Sequence, residues 1–398
     1  MKVLQINSVC GTGSTGRIVT DLHHKLIEQG HESIVAFGRG DAKNIDVKKT
    51  IKIGNSISTA LHLIKSRIFD SHGLGSKIST FNFIRKIKKE KFDVIHLHNV
   101  HGYYLNIIIL FKFLSKFKGK VIWTFHDAWP FTGHSAYFDY PPITSWRDGI
   151  HDCIGKSNYP KSIFLDRRIR NGKIKKKYFS SVDSMTIVTP SNWLKELASK
   201  SFFNKYEIKV INNGINLSSY NYNNNDDDLN KSKNRRILLG VASPWSKRKG
   251  LEVFLELNKL ISEKYQILLI GLSKKQIKKI PDNIIALRKT NNIQELVSLY
   301  NKAFIYINPT FEDNFPTTNI ESISCGTPVI TFNTGGSPEI IDQSCGVITK
   351  EKNAESILES IRIIENMDYE IVQKNSIMRA QKLYSKDDRF ADYIRLYE

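Results

Sequence analysis

The chain has 398 residues, more than a single hydrophobic core usually holds, and its hydrophobic content of 40% is enough to fill two cores. Lys and Arg outnumber Asp and Glu by 59 to 39, and the net charge of +20 favours polyanions, anionic membrane surfaces or phosphorylated small molecules as partners. The four cysteines show neither a CxxC nor a metal-ligand spacing, which argues against a disulfide framework or a structural zinc site and favours a reducing cytoplasm.

No apolar stretch has the length of a targeting or membrane-spanning segment. The N-terminal apolar run is too short for a signal peptide and passes directly into glycines. The most apolar window, residues 103–114, is interrupted by Asn106 and Lys112 and is shorter than the roughly 20 residues that cross a bilayer. The sequence therefore predicts a protein that is not integral to the membrane.

Short apolar runs alternate with helix-length stretches along the chain. In the first half they read KVLQIN, SIVAFG, DVIHLH and VIWTFH, and after Arg236 they read ILLGVA, QILLIGL, FIYINP and TPVITF. This rhythm predicts an α/β fold with two parallel sheets, separated by a polar, low-complexity linker over residues 216–236. Ligands of parallel sheets bind at the carboxyl ends of the strands, so candidate site residues are expected there.

The first predicted strand is followed by a glycine loop, VCGTGSTGRIV, which contains Gly13 and Gly16. The loop is similar to loops that cradle phosphate, but it lacks the G-K-[ST] of a P-loop. No acidic residue ends the second strand, as a dinucleotide-binding fingerprint requires, which disfavours a nicotinamide oxidoreductase. A ligand loop and a plain tight turn are both compatible with these glycines.

Histidines cluster in HLHNVHG, which contains His96, His98 and His101. On a strand His96 and His98 share one face, but no acidic or cysteine partner is near in sequence, so we expect no metal there. The acidic run Asp226–Asp228 lies in the asparagine-rich linker and is expected to be solvated.

A second polar and aromatic motif, FHDAWPFTGH, places His126 and Asp127 at the end of a predicted strand, with Trp129 and His134 shortly after. Carbohydrates stack their apolar ring faces on aromatic side chains and hydrogen-bond their hydroxyls to polar groups, so this combination suits a sugar. A lone histidine is more often structural. Its neighbours favour a functional role for His126, whereas both interpretations stay open for His134.

In the second half, SPWSKRKGLE places Lys247, Arg248 and Lys249 between a predicted strand and a predicted helix. Cations at such a turn can neutralise a diphosphate leaving group, although a solvated basic loop would show the same pattern.

The stretch FEDNFPTTNIESISCG places Asp313 in a loop and Glu321 about one turn inside the following helix. A carboxylate there can accept two hydrogen bonds from a ribose diol, and the free amides of the helix start bind phosphate. The alternative is an acidic first turn that interacts with the helix dipole. Gly335 and Gly336 follow the next strand, where they permit a close ligand or form a tight turn. Two such signals at consecutive strand ends favour a nucleotide site.

Basic clusters recur in the first half, at residues 85–91, 112–120 and 167–177. Lysines interleaved with apolar residues suit an anionic membrane surface, and nucleic acid would also satisfy the charge. No nucleic-acid-binding motif accompanies the clusters, and a merely solvated surface is an equal alternative.

Taken in order, FHDAWPFTGH, TPSNWLKEL, VINNGIN, GVASPWSKRKGLE and FEDNFPTTNIESISCGTPVITFNTGGSPEII resemble the retaining GT-B glycosyltransferases of family 4. The resemblance is strongest to the branch that builds bacterial capsule, exopolysaccharide and O-antigen. It implies two Rossmann-like domains whose parallel sheets face each other across a cleft, with acceptor binding in residues 1–207 and nucleotide-sugar binding in residues 208–380. It also implies that a C-terminal helix, residues 381–398, returns to the first domain.

The resemblance also implies roles for individual residues. Glu321 corresponds to the glutamate that holds the donor ribose, and Lys249 corresponds to the lysine that binds the diphosphate. Asp313 stands where the family usually has a glutamate near the donor sugar, and Arg248 or Lys247 replaces an arginine that usually comes a few residues earlier. The other implied donor-binding residues are Gly13, Gly16, Asn319, Gly335 and Gly336.

His126 resembles the histidine that contacts the donor sugar, and it completes an implied catalytic set with Lys249, Arg248 and Asp313. The implied acceptor-binding residues are Asp127, Trp129 and His134.

The expected activity is retaining transfer of a sugar from a nucleotide sugar to a polysaccharide or lipid-linked oligosaccharide acceptor in bacterial surface glycan biosynthesis. The resemblance implies that no metal or other cofactor is needed. It also implies that no carboxylate pair is needed as nucleophile and acid, because the departing diphosphate itself takes the acceptor proton. We expect a cytoplasmic protein, peripheral on the inner face of the cytoplasmic membrane, with no nucleic-acid partner. The alternative is a non-catalytic polyanion- or membrane-binding protein that keeps the GT-B fold.

Overall fold

The computed structural model describes residues 1–137, 159–222 and 235–398. Asp226–Asp228, Cys153 and part of the predicted linker lie outside the described residues. The chain forms two compact units, the first made of Met1–Ile211 with Phe390–Glu398 and the second made of Asn212–Arg389. The domain boundaries after residues 207 and 380 stay predictions.

The first unit contains a seven-stranded parallel sheet with the strand order β3-β2-β1-β4-β5-β6-β7. Its strands are β1 (Lys2–Val9), β2 (Glu32–Arg39), β3 (Thr50–Lys52), β4 (Val94–Leu97), β5 (Lys120–Thr124), β6 (Thr186–Thr189) and β7 (Glu207–Val210). Its helices are α1 (Gly13–Glu28), α2 (Ser56–Phe69), α3 (Lys77–Ile87), α4 (Ile107–Leu114), α5 (Arg168–Phe179) and α6 (Asn192–Ser199). Because β1, β4 and β5 are adjacent and parallel, the loops that follow them leave the sheet side by side.

The second unit contains a six-stranded parallel sheet with the strand order β10-β9-β8-β11-β12-β13. Its strands are β8 (Arg236–Val241), β9 (Tyr265–Ile270), β10 (Ile285–Leu287), β11 (Ala303–Asn308), β12 (Val329–Phe332) and β13 (Gly346–Thr349). Its helices are α7 (Leu251–Leu260), α8 (Lys274–Ile277), α9 (Ile293–Lys302), α10 (Thr317–Ser324), α11 (Ser337–Ile340), α12 (Ala354–Glu365) and α13 (Tyr369–Leu383). Helices α7 and α12 contribute to one apolar core, and α9, α10 and α13 contribute to another.

The last helix, α14 (Lys386–Tyr397), passes from the second unit into the first. Helix α14 packs into an apolar cluster that also contains residues of α1, β1, β4 and β5. Its buried side chains in this cluster are Phe390, Tyr393, Ile394 and Tyr397. A buried polar chain adds to this packing, because His96 Nδ1 lies 2.6 Å from the Tyr397 hydroxyl and His96 Nε2 lies 2.8 Å from Thr124 Oγ1. The C-terminal residues are therefore part of the first unit's core.

The two parallel sheets confirm the predicted α/β class, and each of the eight apolar runs read from the sequence overlaps a strand. Among the described residues, no helix combines the length and the apolar composition that crossing a bilayer requires.

Candidate active site

In the second unit, three candidate loops follow the neighbouring strands β8, β11 and β12. The first loop carries Arg248 and Lys249, the second carries Asp313, and the third carries Gly335 and Gly336. The structure therefore brings these five predicted donor-site residues to one edge of one sheet.

An ion pair joins two of these loops. Lys249 Nζ lies 2.5 Å from Asp313 Oδ2, and the two side chains keep 22% and 21% of their surface exposed. Burial by itself raises the pKa of Asp313, but the Lys249 ammonium, helped by the Arg248 guanidinium, holds that pKa below its usual value. The pair thus connects the loop after β8 to the loop after β11.

The backbone of the Asp313 loop is fixed from both sides. The Gly336 amide donates to the Asp313 carbonyl over 3.1 Å, and the Phe311 amide donates to the Arg248 carbonyl over 2.8 Å. The Arg248 guanidinium also donates to the Glu312 carbonyl. Arg248 therefore has a structural role in addition to its predicted contact with a diphosphate.

Gly335 is required by this loop packing. Its φ is +56°, and a Cβ at this position would lie 1.9 Å from the Asp313 carbonyl oxygen. Gly250 is similar, with a φ of +76° and a Cβ position 2.2 Å from the Pro309 carbonyl oxygen. Both glycines let the three loops approach each other closely.

We predict that Gly335→Ala destabilises the second unit by about 2 kcal/mol or more, because the strained backbone adds to a clash with a carbonyl that is itself hydrogen-bonded. Gly40→Ala is the matched control, since Gly40 also has a positive φ, +68°, but no atom lies near its Cβ position. Thermal unfolding measures both variants. Equal shifts in the unfolding temperature would contradict the role of the Asp313 contact.

Glu321 lies on α10 and accepts a hydrogen bond from the Tyr300 hydroxyl over 3.2 Å. Tyr300 is fully buried on α9, so it fixes one carboxylate oxygen of a side chain that is itself partly exposed. Burial raises the pKa of Tyr306, and the carboxylates of Glu321 and Asp313 raise it further, which indicates that both carboxylates lie near this one phenol.

Asn319 is placed differently from the other donor-site candidates. It is fully buried, and its Oδ1 accepts a hydrogen bond from Asn308 Nδ2 over 2.7 Å. Its Nδ2 has no hydrogen-bond partner among the described residues. Asn319 therefore connects α10 to β11 from the interior, and its predicted contact with a donor stays a prediction.

In the first unit, the other candidates follow β1, at the start of α1, and β5. Gly13 is exposed with a φ of +66°, and nothing lies within 4 Å of its Cβ position, so space beside it is open. Gly16 is buried, and its Cβ position lies 3.1 Å from the Val9 side chain, which explains this glycine by the packing of α1 on β1. Of the two, Gly13 is the one with room for a ligand.

His126 follows β5 and is only partly buried. Its Nε2 lies 3.2 Å from Nδ1 of His98, and the two rings are stacked with centroids 5.4 Å apart. Burial lowers the pKa of His126 to about 4, so the imidazole is neutral at pH 7. A neutral imidazole at a strand end can exchange hydrogen bonds with sugar hydroxyls.

Asp127 is buried and uses both carboxylate oxygens internally. Oδ2 lies 2.9 Å from His101 Nε2, and Oδ1 accepts the Trp129 amide over 3.0 Å. Burial raises the pKa of Asp127, but His101, the Trp129 amide and His126 together hold that pKa below its usual value. His101 Nδ1 also lies 3.2 Å from the Tyr159 hydroxyl. Asp127 is thus a buried anchor for the loop that carries His126.

Trp129 and His134 belong to the same loop after β5, and both side chains are buried. Lys175 Nζ lies 3.6 Å from the centre of the Trp129 ring and donates to the Trp129 carbonyl over 2.7 Å. His134 Nδ1 lies 2.7 Å from Asp70 Oδ1. As placed, the two side chains support the loop from inside, and their direct contact with an acceptor stays a prediction.

The described residues contain no group of three or more His, Cys, Asp or Glu side chains that could hold a metal ion. In the HLHNVHG motif, His96 and His98 share a strand face, with ring centroids 4.0 Å apart.

Comparison with known families gives a match over most of the chain. A model described as Glycosyltransferase Family 4 matches residues 15–219, and one described as Glycosyl transferases group 1 matches residues 221–382. The chain belongs to glycosyltransferase family 4. This confirms the family predicted from the sequence and favours an enzyme over a non-catalytic binding protein.

Several relatives of this glycosyltransferase have names from polysaccharide biosynthesis. A protein of Escherichia coli named as the colanic acid biosynthesis glycosyl transferase WcaC is 21% identical over the full length of both chains. The O-antigen chain mannosyltransferase RfbU of Salmonella typhimurium is 22% identical, covering 75% of this chain and 74% of its own.

Solved structures show the same fold as this glycosyltransferase. A sucrose-phosphate synthase from Thermosynechococcus elongatus has a TM-score of 0.71 at 16% identity, covering 100% of this chain and 98% of its own. HepE of Anabaena, solved in complex with UDP and glucose, has a TM-score of 0.67 at 12% identity, covering 100% and 99%.

Three residues of this family member's site were missed by sequence reasoning: Tyr300, His101 and Gly250. Tyr300 gave no signal because one tyrosine in an amphipathic helix is indistinguishable from a core residue. His101 was noticed only as a possible metal ligand. Because β4 and β5 are neighbours, the polar groups that follow each strand meet, and that adjacency could have paired His101 with Asp127.

Proposed function

We propose that this glycosyltransferase transfers a sugar from a nucleotide-sugar donor to a glycan or lipid-linked oligosaccharide acceptor during the synthesis of a bacterial surface polysaccharide, with retention of the anomeric configuration. The names of the relatives support the pathway class. The observation that carries the proposal is the Lys249–Asp313 pair beside Gly335, at the edge of the sheet where a nucleotide diphosphate would bind.

In the proposed reaction, the bond from the anomeric carbon to the diphosphate oxygen breaks while a bond to the acceptor oxygen forms on the same face of the sugar. The acceptor proton passes to the diphosphate oxygen. Negative charge develops on the diphosphate in the transition state, and the Lys249 ammonium stabilises it together with Arg248. Since Lys249 is pre-positioned by Asp313, little reorganisation is needed when the diphosphate takes the place of the carboxylate.

We further propose a metal-independent reaction, because Lys249 and Arg248 provide the positive charge that a bound cation would otherwise provide. Glu321 holds the two ribose hydroxyls with the carboxylate oriented by Tyr300. His126 contacts the donor sugar as a neutral imidazole. The enzyme is proposed to work in the cytoplasm, on the inner face of the membrane.

The test of the donor site is a thermal-shift series with UDP, GDP, ADP, TDP and CMP. A nucleotide at a hundred times its dissociation constant stabilises a protein by about 2.7 kcal/mol.

We predict that Glu321→Ala weakens binding of the active nucleotide by about a hundredfold, because two hydrogen bonds to a charged group are lost. Glu359→Gln, at an exposed position on α12, is the matched control and should bind as the parent does.

The 2′-deoxy form of the active nucleotide tests the contact between Glu321 and the ribose hydroxyls directly. If Glu321 holds the ribose, the deoxy nucleotide binds the parent weakly, and Glu321→Ala discriminates less between the two forms than the parent does. Undiminished discrimination in the variant would refute the ribose contact. Retention is tested separately, by NMR of the anomeric proton in donor and product.

A further inference from the structure

Helix α2 exposes its apolar side chains to solvent, whereas a normal surface helix buries them. Its buried side chains are His62 and Ser66, whereas Ile57, Leu61 and Ile64 are 70%, 62% and 54% exposed. At 3.6 residues per turn, these three apolar residues lie within about 60° of each other around the helix. We name them the α2 apolar face.

Polar contacts hold the helix in this orientation. His62 Nδ1 lies 2.9 Å from Ser76 Oγ, and His62 Nε2 accepts the Gly75 amide over 3.1 Å. Asn55 caps the N-terminus by accepting the Ser58 amide over 2.9 Å, with a reciprocal bond from the Asn55 amide to the Ser58 hydroxyl. Rotating the helix to bury its apolar residues would break the His62 contacts, so the outward direction of the α2 apolar face is built into the fold.

Neighbouring residues extend this exposed surface. Phe69, at the end of α2, is 43% exposed, and Ile163 and Phe164 are 56% and 68% exposed. The Ile163 amide donates to the Arg67 carbonyl over 2.7 Å, so this second segment runs alongside the end of α2. Apolar surface of this extent on one side of a folded unit indicates an interaction site.

The chain segment that contains the α2 apolar face is strongly basic. Residues 47–89 contain ten Lys and Arg and a single acidic residue, Asp70. Asp70 is 2% exposed, with its carboxylate accepting the Arg167 amide over 2.7 Å and lying 2.7 Å from His134. On the helix itself, Lys65 and Arg67 project about 80° to either side of the position of Ile57. The apolar stripe is therefore bordered by cations on both sides.

We propose that the α2 apolar face, with Phe69 and Phe164, docks on an anionic lipid bilayer. The long side chains of Lys65 and Arg67 can extend to lipid phosphates while the apolar residues enter the acyl boundary, which is how interfacial helices bind. A second copy of this chain is disfavoured as the occupant, because isologous pairing would bring two sets of cations together without exposed carboxylates between residues 47 and 89 to neutralise them.

This docking deepens the membrane location proposed above by naming the surface that binds, and it does not depend on the glycosyl transfer. Its consequence for catalysis, holding the enzyme beside a lipid-linked acceptor, rests on the proposed function.

The experiment is sedimentation of the full chain with vesicles of phosphatidylcholine, alone or mixed with phosphatidylglycerol, without donor or acceptor. The parent is expected to bind the anionic vesicles at least tenfold more tightly than the neutral ones. The triple variant Ile57→Ser, Leu61→Ser, Ile64→Ser is expected to lose at least tenfold in binding to anionic vesicles. Lys65→Gln and Arg67→Gln are each expected to lose about fivefold.

The matched control is Ile371→Ser with Met378→Ser on α13, two apolar residues that are 55% and 56% exposed in the second unit. This double variant is expected to bind vesicles as the parent does. All substituted side chains are exposed, so thermal unfolding and the nucleotide-induced shift should be unchanged and will reveal any misfolded variant.

Three outcomes would overturn the docking proposal. They are equal binding to neutral and anionic vesicles, unchanged binding by the triple variant, and an equal loss in the α13 control. A change of oligomeric state in the triple variant without loss of vesicle binding would instead identify a second copy as the occupant. Because binding is measured without substrates, an inactive but vesicle-binding protein would refute the proposed function and leave the docking intact.

Discussion

Lowering the pH from 7 to 5 is expected to reduce the free energy of unfolding of the first unit by at least about 4 kcal/mol, with no corresponding effect on the second unit. All 11 histidines of the chain lie in residues 1–151. His23, His62 and His96 are buried, with relative exposures of at most 3%, and burial lowers their pKa values to about 4, 4 and 3. Each contributes about 1–2 kcal/mol of this change at pH 5, and so does His126, because burial also lowers its pKa to about 4.

The free energy of unfolding falls at lower pH because the unfolded chain takes up more protons than the folded unit. Above pH 6.5 these histidines are neutral in both states and have no effect. As the pH falls through 6.5, the unfolded chain binds protons that the folded unit cannot bind, so folding becomes less favourable. The loss is complete once the pH is below the folded pKa values, near 4 and 3.

Urea unfolding followed by tryptophan fluorescence at pH 7, 6 and 5 measures the effect, because four of the five tryptophans lie in residues 1–200. His96→Gln removes one titrating group and should reduce the pH dependence by the roughly 1–2 kcal/mol that His96 contributes. Tyr397→Phe removes the hydroxyl that His96 contacts but no titrating histidine, so it should cost about 1 kcal/mol at every pH and leave the slope unchanged. A urea midpoint that does not move between pH 7 and pH 5 would contradict the prediction.

Lys249→Ala is expected to lower the turnover of donor by about 10²–10³-fold, with a smaller effect on donor affinity. The reason is that the ammonium stabilises charge that is fully developed only as the sugar leaves the diphosphate. The variant also leaves Asp313 without its partner at 2.5 Å, so a repulsive carboxylate then faces the diphosphate. Release of nucleoside diphosphate, with and without acceptor, measures the loss.

Lys247→Ala is the matched control for this variant. Lys247 is in the same turn, but its side chain is 79% exposed and forms an ion pair with Glu252 at 3.8 Å. The Lys247→Ala variant removes the same charge as Lys249→Ala and should change turnover by less than about threefold, as expected for an exposed ion pair. The double variant Lys249→Ala, Asp313→Asn should recover part of the turnover, because the uncompensated carboxylate is removed. Equal losses for Lys247→Ala and Lys249→Ala would assign the effect to the overall charge of the turn.

Most central strands were predictable from the sequence, whereas the edge strands β3, β7 and β10 were not. Runs such as VIWTFH and QILLIGL are buried on both faces of a parallel sheet, so they read as continuous apolar segments. The edge strands β3, β7 and β10 are only partly buried, so they have no continuous apolar run. The inverted α2 could not be predicted either, because an apolar stripe in a sequence normally marks the buried face.

For the candidate site, the sequence indicated which residues lie close together, but it did not indicate which contacts each side chain makes. Lys249, Asp313 and Gly335 were identified from their positions at successive strand ends, and contacts at one sheet edge connect them. Asp127 was predicted to bind an acceptor, but its carboxylate is occupied by His101 and the Trp129 amide. The Trp129 amide comes from the local backbone turn, and His101 comes from a separate loop that only the adjacency of β4 and β5 brings close.

The docking of α14 against β1, β4 and β5 has a consequence for synthesis on the ribosome. Side chains such as Val3, Val94 and Ile122 are covered by residues from Phe390 onward, which are translated only after the whole second unit. A nascent chain that has released its first 211 residues therefore presents an uncovered apolar face while Asn212–Arg389 is still being made. Nascent chains arrested within the second unit should bind chaperones at this face, and a separately supplied peptide of residues 386–398 should compete with that binding.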